Sequence, residues 1–123
     1  MPGPLFPPDK RVLCRAEDVA EGTSKAFPPA EGAFFGLFAV RQNGKFRVYV
    51  NSCPHIGVPL NWSGDDFLTR DRAHIICATH GAEFLIATGR CISGPCIGDH
   101  LEPIIAEIHN GFLLVAHDAG LAD

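Results

Sequence analysis

A chain of 123 residues with 46% apolar and 20% charged side chains is long enough for one buried core and ordinary for a globular domain. Its net charge of −4 argues against a nucleic-acid surface, where a basic patch is expected, and is most simply a solubility feature. No apolar run approaches the ~18–20 residues of a membrane span. The opening Met1–Pro8 lacks the basic and continuous apolar parts of a secretory leader, so a cytoplasmic location and no membrane partner are expected.

Thirteen glycines and ten prolines disfavour a helical bundle and favour short strands joined by many turns. Residues 1–10 are proline-rich and read as a loosely held arm ahead of a single domain over 11–123. Arg11–Cys14 predicts a short first strand, with Cys14 a small buried hydrophobe. Residues 15–25 are polar and read as turn, with room for one helical turn near Glu17–Ala20, and Phe27-Pro28-Pro29 breaks any regular element. Ala33–Arg41 predicts a buried strand. Asn43-Gly44 is a strong hairpin signal, and the strand after it alternates, with Phe46, Val48 and Val50 on one face and Arg47 and Tyr49 on the other.

That strand delivers the chain into Cys53. Residues 56–74 form a long connection in which Trp62 reads as a cover for core or site, and in which Asp65, Asp66, Arg70, Asp71 and Arg72 read as a solvated face. Ile75-Ile76 leads into Cys77, and Glu83–Ala87 leads away from it. Turns follow at 88–90 and 93–95. Strands Ile104–Ile108 and Phe112–Ala116 close the chain around Asn110-Gly111, a second hairpin signal. The fold expected is all-β and antiparallel, a sandwich or partial barrel.

Two stretches carry the chemistry. Cys53-Pro-His55-Ile-Gly57 and Cys77-Ala-Thr-His80-Gly81 each offer one cysteine and one histidine at close spacing, with a glycine that lets backbone turn tightly. Twenty-one residues separate His55 from Cys77. The odd total of five cysteines points to metal binding or free thiols rather than a disulfide framework. Three readings compete: ordinary core and loop residues, a structural zinc site, and an iron–sulfur cluster with two histidines on one iron. Matched pairs weigh against the first. Zinc modules usually pair Cys with Cys and His with His, whereas here each loop supplies one of each.

These residues resemble the cluster-binding loops of the Rieske family, and Gly94-Pro95 resembles the proline loop that covers its cluster. The resemblance runs from about Arg11 to Val115. It implies one [2Fe-2S] cluster, held in a small two-loop subdomain over about 51–98 at one end of a Rieske-like sandwich. Cys53 and Cys77 would bind one iron, and His55 and His80 the outer one. Gly57, Gly81, Ala82, Phe84, Gly94 and Pro95 would form the surrounding shell.

The respiratory branch of that family adds a cysteine in each loop; Val58 and Thr79 stand at those positions here, so that disulfide is excluded. Where the same branch carries serine and tyrosine hydroxyls aimed at the centre, this chain has Ala82 and Phe84. Without those donors the resemblance implies the soluble, low-potential ferredoxins, near the bottom of the Rieske range at about −150 mV or a little above.

The function implied is a one-electron carrier between a reductase and a terminal oxygenase or similar enzyme. Alternatives are the small subunit of a nitrite-reductase-like complex and a zinc-stabilised interaction module. No nucleophile–base pair and no phosphate-binding glycine loop stands out, so no catalytic centre, flavin or nicotinamide site is expected. Cys91 and Cys96 flank Gly94-Pro95 and are close enough in sequence to approach each other. In a reducing compartment free thiols are the expectation. His74, His100, His109 and His117 have no matched partners and read as surface or structural residues.

Overall fold

The computed structural model describes residues 9–54, 57–61 and 64–119; the readings made for Met1–Pro8, His55 and Trp62 lie outside them. Among the described residues the strands are β1 (Lys10–Arg15), β2 (Thr23–Phe27), β3 (Leu37–Gln42), β4 (Lys45–Val50), β5 (His74–Ile76), β6 (Glu83–Leu85), β7 (Cys91–Ser93), β8 (Pro103–Ile104), β9 (Ala106–His109) and β10 (Phe112–Ala116). They form three antiparallel sheets, ordered β1-β10-β9, β2-β3-β4-β8 and β5-β6-β7. The all-β expectation holds, with three open sheets and no closed barrel among the described residues. No helix among them is long and apolar enough to cross a membrane.

The β2-β3-β4-β8 sheet is apolar on both faces, and that decides the architecture. In β3 the four successive residues Leu37, Phe38, Ala39 and Val40 are all at most 2% exposed. A strand alternates its side chains, so such a run must fill two cores. Phe38 and Val40, with Tyr49 of β4, enter a core shared with Ile75, Phe84, Leu101, Cys53 and Cys77. Leu37 and Ala39, with Val48 and Val50, enter a second core shared with Leu113 and Val115 of β10. Tyr49 thus stands on the face opposite Val48 and Val50, as the alternation predicts, and that face is a core as well. It is buried because its hydroxyl has a partner, donating to the Ile86 carbonyl at 2.6 Å, while its ring tilts against Phe38. Phe38 in turn stacks on Phe67 at 4.3 Å.

Other boundaries differ from the sequence reading. The stretch read as turn ends in the first three residues of β2, whose formation depends on distant chain: Ser24 Oγ donates to the Asp65 carbonyl and accepts from Phe67 N, and Ala26 N donates to Asp65 Oδ1. The helical turn is a 3-10 turn at Ala16–Asp18. The strand expected from Ala33 starts only at Leu37, and Phe34 is 87% exposed. The strand expected over Ile104–Ile108 is two: β8 pairs with β4, β9 pairs with β10, and Ile105 between them points outward as the chain changes sheet. Both hairpins form as read. Asn43, Gly44, Asn110 and Gly111 all have positive φ, the turn that matches strand twist.

Candidate metal centre

The two loops that carry the Cys–His pairs of the sequence are the same turn built twice. In the first, Cys53 N donates to the Val58 carbonyl at 2.7 Å and Gly57 N donates to the Cys53 carbonyl at 2.7 Å. In the second, Cys77 N donates to the Ala82 carbonyl at 2.8 Å and Gly81 N to the Cys77 carbonyl at 2.9 Å. Each cysteine thus opens a turn closed four and five residues on. The closing glycines have φ of +69° and +71°, where a side chain is strained, which is why glycine stands at both places. The loops are also tied to each other, Ala78 N donating to the Leu60 carbonyl at 2.7 Å.

Each loop is anchored by rigid structure. β4 ends three residues before Cys53, and β5 ends immediately before Cys77. Asn51, buried, clamps the first loop: its backbone N–H donates to the Gly36 carbonyl, its Oδ1 accepts from Leu60 N, and its Nδ2 donates to Asn61 Oδ1. Its role was not read from the sequence, where the only signal is a polar residue directly after a buried strand.

The thiols of Cys53 and Cys77 are 2% and 1% exposed, whereas His80 is exposed. Ala82 and Phe84 are buried beside them. Gly94 has φ +100°, and a Cβ there would lie 2.8 Å from Ala82 Cα, so the loop after β7 presses its backbone onto the end of the second Cys–His loop. Pro95, next to it, is exposed. Cys91 and Cys96 are both buried, and Cys96 Sγ donates to Cys91 Sγ at 2.9 Å. Cys96 also faces Cys53. Burial, reinforced by its two cysteine neighbours, pushes the Cys96 thiol up to about 12. That proximity links residues more than forty apart and has no local sequence signature.

Among the described residues no three or more His, Cys, Asp or Glu side chains gather into a metal-holding group. The described part of the site is Cys53, Cys77 and His80, with His55 outside it. Its donor chemistry fits an iron–sulfur group. Two thiols withheld from water in duplicate turns suit a soft metal–sulfide centre, and an imidazole on the solvent side suits an outer iron.

The fold is shared with solved structures. One is the complex of reduced oxygenase and oxidized ferredoxin in carbazole 1,9a-dioxygenase, matched at 27% identity and a TM-score of 0.70 over 88% of this chain and 93% of that one. The ferredoxin of Sphingomonas yanoikuyae B1 matches at 25% identity and 0.69, over 88% and 98%. The terminal oxygenase of carbazole 1,9a-dioxygenase from Nocardioides aromaticivorans IC177 shares the fold at 20% identity and 0.72, over 96% of this chain but 31% of that one. Comparison with curated proteins gives no match. The model of the Rieske [2Fe-2S] domain matches residues 9–108, and the chain belongs to that family.

Proposed function

We propose that this protein is a cytoplasmic one-electron carrier that takes electrons from a reductase and hands them to a terminal oxygenase. Cys53 and Cys77 hold one iron of the [2Fe-2S] cluster, and His55 and His80 hold the other. Bound there, the cluster supplies one-electron chemistry. The chain's own part is to hold, shield and present it. The duplicate turns fix the two thiols, burial keeps water from them, and the exposed His80 places an imidazole edge where a partner's surface can meet it. The observation that carries this reading is the duplicate turn, with its buried cysteine and positive-φ glycine, at both ends of the 53–81 stretch.

A ferredoxin of similar fold is held against an oxygenase in the carbazole 1,9a-dioxygenase complex, which supports an oxygenase as the acceptor. The domain over 11–123, with its cluster-holding portion at about 51–98, is part of the same proposal, as is the cytoplasmic location. Purification under anaerobic conditions, with iron and acid-labile sulfide counted per chain, tests the site. A red-brown protein bleached by dithionite and reoxidised by an added Rieske oxygenase is the expected result. A colourless, zinc-bearing protein would overturn it, and recovery in a membrane or secreted fraction of the native cell would overturn the location.

A further inference from the structure

The ligand loops leave one chemically distinctive pair unused. Cys91 begins β7 and Cys96 lies in the loop beyond it, with sulfurs 2.9 Å apart and side chains 1% and 3% exposed. The backbone already holds the two residues together. Cys91 N donates to the Asp99 carbonyl at 2.8 Å, Gly98 N to the Cys91 carbonyl at 3.3 Å and Asp99 N to the Cys96 carbonyl at 2.9 Å. A disulfide needs its sulfurs at about 2.05 Å, so less than an ångström of closure separates this dithiol from a bond. Between the two cysteines lies Gly94, pressed against Ala82 of the second ligand loop. The outer side of the same loop faces solvent through Ile92 and Ile97, 41% and 67% exposed, so a small reagent meets the pair once the loop opens.

We propose that Cys91 and Cys96 are a reversible dithiol–disulfide pair that clamps the covering loop onto the ligand loops. The oxidant class is a small dialkyl disulfide. One cysteine sulfur attacks it, forming a mixed disulfide and releasing one thiol; the other cysteine displaces the second thiol. Two protein thiols lose two electrons, their two protons leave with the released thiols, and one S–S bond replaces another. Cys96 has a second sulfur neighbour in Cys53. The inference rests on the proposed function only in taking Cys53 to be engaged at the cluster, which leaves Cys91 as the partner.

The sequence makes the test clean. No Lys or Arg follows Arg90, so trypsin leaves both cysteines on the fragment 91–123, whereas Cys77 falls on 73–90 and Cys53 on 48–70. The cluster-loaded protein is treated with bis(2-hydroxyethyl) disulfide or with dithiothreitol, denatured in an alkylating reagent, digested and weighed. The oxidised sample should lose both alkyl groups from 91–123 and keep the one on 73–90 and the one on 48–70. Its iron should pass to a chelator severalfold more slowly than from the reduced sample. Cys91→Ser and Cys96→Ser should each stop at the free thiol or its mixed disulfide with the reagent, never reach the mass of the internally bonded fragment, and abolish the difference in iron release. Two labels retained on 91–123 in iron-loaded protein would overturn the pair, and equal iron release from the two forms would overturn the clamp. Protein that never carries iron reports instead on the cluster assignment.

Discussion

Ala82 and Phe84 follow Gly81 closely and are buried at 1% and 0% exposure beside Cys53, Cys77 and Cys96 in the first core. A hydroxyl placed at either would favour the reduced centre, because reduction adds negative charge for the donor to meet. A charge-assisted bond is worth about 1.5–3 kcal/mol. The difference between redox states is a fraction of that, and for one electron a tenfold change is about 59 mV. Ala82→Ser and Phe84→Tyr should therefore each raise the potential by several tens of millivolts with iron content unchanged, as read by film voltammetry. The alternative has its own signature. A tyrosine hydroxyl left without a partner in this core costs about 1–3 kcal/mol, so a lower melting temperature with an unmoved potential would mean that Phe84 faces only the core. Cys53→Ser and Cys77→Ser should each lose the cluster; near-normal iron and sulfide in either would remove that residue from the ligand set. The cysteines and their glycines were legible in the sequence because their chemistry is local. The approach of Cys96 to Cys53 was not, since it depends on where two separate loops fold.

At the level of elements, legibility followed the same line. The Asn-Gly hairpins at 43–44 and 110–111 declare themselves because two adjacent residues set the turn. β2 does not, because Ser24 and Ala26 take their hydrogen bonds from Asp65 and Phe67 some forty residues away. The split of β8 from β9 is likewise a matter of which sheet has room for each half. Two glycines separate the roles of these elements. A Cβ on Gly36 would sit 2.0 Å from the Phe27 carbonyl oxygen, where the end of β2 closes on the chain entering β3. Overpacking of this kind typically costs about 1–3 kcal/mol and occasionally more. Gly36→Ala should lower the unfolding free energy, read from the denaturant midpoint and slope, by at least that much. Gly94→Ala meets Ala82 Cα at 2.8 Å from a φ of +100° but lies in an exposed loop. It should displace the covering loop and speed iron loss while leaving far-ultraviolet circular dichroism unchanged. Unfolding by Gly94→Ala, or tolerance of Gly36→Ala, would show that the tight contacts are relieved differently.

Across the whole molecule, the two-faced sheet divides the interior into halves with unequal duties. One face packs with Cys53 and Cys77 beneath β5, β6 and β7, each only three residues long. The other packs with β10, which is paired along both edges by β1 and β9. Short strands joined by loops have little cooperativity of their own, so the small sheet depends on what ties its loops together. When ligation supplies that tie, binding energy becomes folding energy for the part of the chain that holds the ligands. Removing the cluster should therefore open the molecule locally, as proteins open in contiguous units of differing stability. Hydrogen exchange on loaded and chelated protein should show amides at 53–61 and 74–99 losing protection, while those of β1, β9, β10 and the second-core residues of β3 change little. The Tyr49 hydroxyl bond to Ile86 and the Phe38–Phe67 stack cross the boundary, so β4 should respond in between. Equal loss of protection in β10 and β6 would sink the idea of two halves, because it would mean that the cluster stabilises the fold as one cooperative unit.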